Sequence, residues 1–466
     1  MTALSLPRPR RIRPLAILGA SLVLVAASQA ANLLAPRAAA PAPIAPAPIA
    51  PAGQVVTAPV APAGAPIAGA PGSLQTIDHS IAAWTANVAA NDRDFLSAAN
   101  LGTLYEARAR LSGDVSDYTR ATTASDRSLA IEPRQLDVQA LRARLQLAMH
   151  DFAGALAEAR TIDRAAPNQP AVLSIIADAS LELGDVDGAA RLYDQIETLA
   201  PGPAVTARLA RVAFLRGDPS TAVSMAETAY AAAKADGTTG PALSWYAYLA
   251  GTMHLGGGSP DAAATWFRSA LDAWPTSFLA LAGGARAAAA LGETDAAIAG
   301  YRAAIAVAPQ PDALTALGDL LALRGDTKGA EAQYATVLAI AQLQGSGGFV
   351  FNRQLVLFDV NHDRDLAAAL ALAERELAVR PDAYGYDAYA WALLANGRAA
   401  DADAAMAKAT AVGTRDALLL YHAGEIKLAL GQTAAARALL TDALAIQGAL
   451  DPLAASRAAA SLESIR

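Results

Sequence analysis

The chain has 466 residues, 54% of them apolar but only 5% aromatic, with a formal net charge of −7 and no cysteine. The missing cysteines exclude disulfides, thiolate metal sites, a cysteine nucleophile and a lipid-anchored cysteine. The acidic balance argues against a phosphate backbone as the main partner, and the alanine-heavy apolar fraction favours closely packed helices over sheets.

In chain order, the first element is a targeting segment. Arg8, Arg10, Arg11 and Arg13 precede an apolar run from Leu15 to Ala27, and Ser28-Gln29-Ala30 follows with small-x-small spacing. A basic start, an apolar middle and a small-residue exit are the parts of a secretory signal peptide, here residues 1–30. The alternative is an uncleaved membrane anchor extending to Ala35, its second half only weakly apolar. Removing the four arginines takes the net charge from −7 to −11 for the remainder. Residues 36–73 hold ten prolines in an Ala/Gly/Ile/Val background without an acid. Such a stretch lacks regular backbone donors and reads as a disordered polyproline spacer, reaching on the order of 100 Å if fully extended.

From residue 74 to 450 the sequence is periodic. Ala121, Ala155, Ala189, Ala222, Ala263, Ala297, Ala330, Ala369, Ala402 and Ala436 are separated by 34, 34, 33, 41, 34, 33, 39, 33 and 34 residues. A proline stands twelve residues after six of them, and a glycine five residues before seven. A period of this length predicts a solenoid of about ten helical hairpins. Within Pro170–Pro201, Leu173, Ile176, Ala177 and Ser180 form the stripe of a first helix. Gly184 ends it, Asp185 caps a second helix through Ala189, Ala190, Tyr193 and Ile196, and Pro201 stops that helix. The two long spacings place insertions near Ala235–Gly240 and Gly345–Gly348, expected as loops. Asp451-Pro452 then starts a capping helix in residues 451–466 that covers the last open interface.

The helix-turn-helix unit resembles the tetratricopeptide repeat over roughly residues 94–450. The units Pro170–Pro201, Thr276–Pro309 and Pro311–Gln342 match best, and departures such as Gly284 at a position expected to be large interrupt the pattern. The resemblance implies an all-α, right-handed superhelical solenoid whose first helices line a concave groove. It also implies a non-enzymatic scaffold that binds a protein or peptide there.

In that register the residue after each small position faces inward. Arg144, Asp178, Arg211, Arg286 and Asp319 give alternating charge, followed by Phe358, Trp391 and Glu425. Trp245, Tyr248, Phe351, Tyr384 and Tyr421 add aromatics to the same face. The expectation is a groove whose arginines take carboxylates and whose aromatic end takes apolar side chains. A glycan stacked on the aromatics, in cell-envelope polymer assembly, is the alternative.

No catalytic, metal or cofactor motif emerges. The stretch Asp359–Asp365 begins like a calcium loop, but Arg364 stands where that loop needs glycine and Leu370 where it needs glutamate. It reads instead as a turn with Asp363 or Asp365 capping the next helix. The expected place of work is outside the cytoplasm, with no nucleic acid as partner and membrane contact only through an uncleaved N-terminal segment.

Overall fold

The computed structural model describes residues 74–347, 352–446, 448 and 450–465. The expected signal peptide, the proline-rich spacer and Phe351 lie outside them. Among the described residues there are 22 helices and no strand. Helix α1 (Leu74–Ala90) leads, followed by the pairs α2 (Phe95–Ser112) with α3 (Ser116–Ile131), α4 (Leu136–Ala148) with α5 (Phe152–Ala165), and α6 (Pro170–Glu182) with α7 (Val186–Leu199). Next come α8 (Pro203–Leu215) with α9 (Pro219–Ala235), α10 (Gly240–Gly256) with α11 (Pro260–Ala273), and α12 (Phe278–Ala290) with α13 (Thr294–Val307). The pairs α14 (Pro311–Leu323) with α15 (Thr327–Gly347), α16 (Asn352–Asn361) with α17 (Leu366–Val379), α18 (Ala383–Ala395) with α19 (Ala399–Ala409), and α20 (Ala417–Ala429) with α21 (Thr433–Ala445) complete ten units. Helix α22 (Pro452–Ser464) closes the chain.

The third unit shows how the sequence builds this. Pro170 opens α6 at its first position, where a missing N–H costs nothing. Gly184 takes φ 86°, and the Asp185 side chain accepts from the Gly188 N–H at 2.8 Å, so one helix ends and the next is capped within three residues. Nine of the ten register alanines are fully buried and Ala330 is 2% exposed, because the two helices of a unit cross at these small side chains. The seven spaced glycines all adopt positive φ. Asp365 caps α17 by accepting from the Ala368 N–H at 3.2 Å.

Three features exceed the sequence reading. Helix α6 is buried not on one stripe but throughout Val172–Glu182, the mark of a helix enclosed on all sides. The expected loop at Gly345–Gly348 is instead helical as far as Gly347, where α15 ends. An unanticipated α1 buries Ile77 and Ile81 against Leu101, Leu104 and Ala107 of α2, covering the first unit.

The enclosure of α6 has a long-range cause. A methyl group added to Gly184 would lie 2.7 Å from the carbonyl oxygen of Pro381, and one on Gly113 would lie 3.0 Å from the Ala308 methyl. Gly217 abuts the Gly413 carbonyl, and Gly448 meets Ala290 and Pro260. Thr414 Oγ1 donates to the Leu215 carbonyl at 2.6 Å across 199 residues, and Tyr384 and Val412 pack on the core formed by residues 140–215. In each case the turn inside one unit meets a linker nearly six units later. The solenoid completes a turn in just under six units and rests on itself, so its concave face becomes the wall of a lumen.

Candidate partner-binding lumen

A cavity of about 430 Å³ opens in this lumen between the second and fifth units. Its wall takes Phe152 from α5, Asp178 and Glu182 from α6, Tyr193 from α7, Arg208 and Arg211 from α8, and Trp245 and Tyr248 from α10. Arg380, in the linker before α18, completes it from the next superhelical turn. The cavity exists in this form only because the turns touch.

Its ionic groups are paired within the protein. Arg208, 3% exposed, donates through Nε and Nη2 to the two oxygens of Asp178 at 2.9 and 3.0 Å, and the Tyr193 hydroxyl donates to the same carboxylate at 2.7 Å. Arg211 Nη2 donates to Glu182 at 2.6 Å, and Arg380 pairs with the other oxygen of Glu182. Burial pushes the Glu182 carboxyl up, but Arg211 and Arg380 outweigh it and bring its pKa down to about 2. The pair therefore stays ionised far below neutral pH, and its contribution to stability fades only as pH falls from the ordinary glutamate range toward 2. The Arg380 guanidinium also sits 5.3 Å above the Phe152 ring. What remains open to a ligand is the aromatic wall, with Trp245 and Tyr248 both part-exposed, and beside it the part-exposed side of the paired Arg211.

The expected groove residues divide into four groups. Asp178, Arg211, Trp245 and Tyr248 come together in this cavity. Arg144 and Arg286 lie elsewhere and are engaged. Arg144 donates to the fully buried Glu106 at 3.0 and 3.2 Å. Burial raises the carboxyls of Asp312 and Asp416, and Arg286 lies close enough to oppose both shifts.

Asp319 and Phe358 are core residues, which corrects their expected place in the groove. Asp319 accepts from the Tyr334 hydroxyl at 2.7 Å and lies 2.8 Å from His362 Nε2, while Phe358 is 2% exposed against Tyr334 and His362. The aromatic end is also not open. Trp391 stacks on the fully buried His422 at 4.1 Å and donates to Asn361 Oδ1 at 2.9 Å; Tyr421 is 3% exposed. Glu425 is partly desolvated beside Ser461 of α22, and burial pushes its carboxyl up. Tyr384 remains part-exposed, its hydroxyl 3.4 Å from Asp416 and its ring under Arg353. Helical register alone does not show what else occupies each of these positions.

Phe152, Glu182, Tyr193, Arg208 and Arg380 were not among the expected site residues. For one of them a signal exists: Tyr193 follows Asp178 by 15 residues, as Tyr334 follows Asp319, and both pairs close the same 2.7 Å hydrogen bond. Nothing local marks Arg380, whose role depends on a contact with Glu182, far back in the sequence.

Asp359 on α16 stands apart. Burial pushes its carboxyl up to about 6, with Arg364 opposing. Its folded-state pKa lies above the ordinary value, so stability is greatest when it is protonated and declines as pH rises toward and past 6. Asp359→Asn is expected to raise stability by about 1 kcal/mol at pH 7.5, after allowance for solvent screening, and to be neutral at pH 4. Urea midpoints at the two pH values check this.

Residues 140–204, 207–278 and 283–344 match the tetratricopeptide repeat family. This central part of the chain thus consists of tetratricopeptide repeats, and the fold is an all-α solenoid of that kind. Such repeats typically mediate protein–protein interaction and are generally non-catalytic scaffolds. Similar solved structures include yeast Tom70, at 12% identity over 84% of this chain and 93% of that one, with a TM-score of 0.35. A thermophilic tetratricopeptide-repeat protein of Thermus thermophilus is 18% identical over 41% of this chain and 98% of its own, with a TM-score of 0.37. MamA is 20% identical over 37% and 97%, with a TM-score of 0.30. No curated protein matches the sequence.

Proposed function

We propose that this protein is an exported, non-enzymatic scaffold that holds a segment of a partner protein in the lumen of its second to fifth units. The observation that carries the reading is the 430 Å³ cavity with Trp245 and Tyr248 on its wall and its arginines and carboxylates mutually paired. Paired charges leave no strong field for a small ion. A part-exposed aromatic wall instead favours apolar or ring-bearing side chains of a peptide, each worth about 0.5–1.5 kcal/mol beyond its buried area. Enclosure by the next superhelical turn restricts the occupant to a single extended or helical segment.

The proposed location outside the cytoplasm is supported by the order of Arg8–Arg13, the apolar run from Leu15 and Ser28-Gln29-Ala30, with the proline-rich residues 36–73 as a spacer. The intact mass of the exported chain distinguishes cleavage after residue 30 from retention as an anchor.

The binding test uses a photo-crosslinking side chain at position 245 of the full chain, in cells. A polypeptide adduct is expected there and not from exposed Leu199 on α7. Replacing both Trp245 and Tyr248 by alanine is expected to lower capture of that partner at least tenfold. Adducts sensitive to glycosidase but not protease, or equal labelling from both positions, would overturn the reading.

A further inference from the structure

Helix α22 does more than cover the last repeat. It packs on α20 and α21, as an end cap must, but it also reaches α14, three units before the last. Arg457 Nη2 donates to the Asn361 carbonyl at the end of α16 at 2.9 Å. Ser461 lies near the Glu425 carboxyl of α20 and eases the effect of its burial. Its inward stripe is small: Ala454 is 5% exposed and Ala458 fully buried, in one cluster with Val356, Val360, Trp391 and Tyr421. The outer stripe carries Ser456, Ala459, Ala460 and Glu463 toward solvent. Thus a short alanine-rich helix lies across the inner helices of the later units, on residues that an inward register assigns to the binding face.

We propose that α22 is a tethered occupant of the lumen's C-terminal half, and that a partner reaches this half only by displacing it with a helix of the same chemistry. That helix presents small residues at i and i+4 to the cluster holding Trp391 and Tyr421, and a guanidinium to the Asn361 carbonyl. The proposal rests on the lumen being the binding face. Several properties suit α22 to leave. Its buried residues are two alanines, and the larger Leu462 and Ile465 pack on the same cluster only part-buried, so its hold is weaker than that of an inner helix such as α6. A tethered helix competes at an effective concentration in the millimolar range, which lowers a partner's apparent affinity without abolishing it.

The probe is a labelled peptide with the sequence of residues 451–466, added to the full chain. Ala458→Glu puts a carboxylate into a fully buried site and is expected to drive α22 off while leaving Trp391, Tyr421 and Glu425 in place. The peptide is then expected to bind the Ala458→Glu chain at least tenfold more tightly than the wild-type chain, and an Arg457→Ala peptide about tenfold more weakly than the unaltered one. Equal binding to both chains, or none to the variant, overturns the proposal. Hydrogen exchange on the wild-type chain decides independently of how the variant folds. Amides of α22 are expected to exchange at least tenfold faster than those of α20, as one opening unit; exchange in step with α20 overturns it. A wild-type dimer that trades α22 between copies also overturns it, since the occupant would then be a second chain. Because the probe is this chain's own sequence, its failure leaves the crosslinking result at position 245 untouched.

Discussion

Gly217→Ala is expected to destabilise the protein by about 3 kcal/mol, and Gly397→Ala by only about 1 kcal/mol, a difference readable in urea midpoints. Both glycines sit at the turn inside a unit with nearly the same backbone, φ 78° and 75°. The left-handed strain of an alanine is therefore common to the two and cancels. Their surroundings differ: nothing lies within 4 Å of a methyl at Gly397, whereas at Gly217 it meets the Gly413 carbonyl oxygen. That oxygen belongs to backbone pinned by the neighbouring Thr414, whose hydroxyl bonds to the Leu215 carbonyl. The clash is relieved by parting the two superhelical turns, which exposes Tyr384 and Val412 where they cover the core of residues 140–215. Hydrogen exchange should rise at residues 412–416 in Gly217→Ala and stay unchanged there in Gly397→Ala. Equal effects in the two variants would mean that the turns do not hold each other.

Asp178→Ala is expected to cost about 3–5 kcal/mol, because it strands a buried guanidinium. Arg208 is 3% exposed and keeps only the Ala204 carbonyl, at 3.1 Å, once its carboxylate is gone; Tyr193 loses its acceptor at the same time. Adding Arg208→Met removes the uncompensated charge. The double variant is expected to recover to within about 1 kcal/mol of the unaltered protein, apart from the Tyr193 hydroxyl. Thermal or urea unfolding of the four chains in this cycle measures the coupling. A double variant no more stable than Asp178→Ala alone would show that the carboxylate acts mainly through Tyr193.

The unit was legible in the sequence because its determinants are local. A proline at the first helical position, a glycine at the exit, an aspartate such as Asp185 at the next start and an alanine at the crossing each act within a few residues. The same register singled out Asp178, Arg211, Trp245 and Tyr248, which the structure gathers on one cavity wall. It failed for Asp319 and Phe358. An inward-pointing side chain next to a tyrosine 15 residues on and a histidine in the following inner helix is used up by them. The tyrosine shares the unit of Asp319, but the histidine lies in the next one and is not visible from one unit's pattern.

By itself, then, the sequence determined the repeat, the number of units and the proline, glycine and aspartate positions that start and stop helices within a unit. Those follow from backbone propensities and from periodicity within about 34 residues. The tertiary structure alone decided how sharply successive units rotate, and with that everything beyond one turn. The contact of Gly217 with Gly413, the closure of the cavity by Arg380 and the reach of α22 to α14 all depend on small per-unit angles summed over several repeats. No single unit encodes that sum, so an open groove in the sequence becomes a closed lumen in the fold.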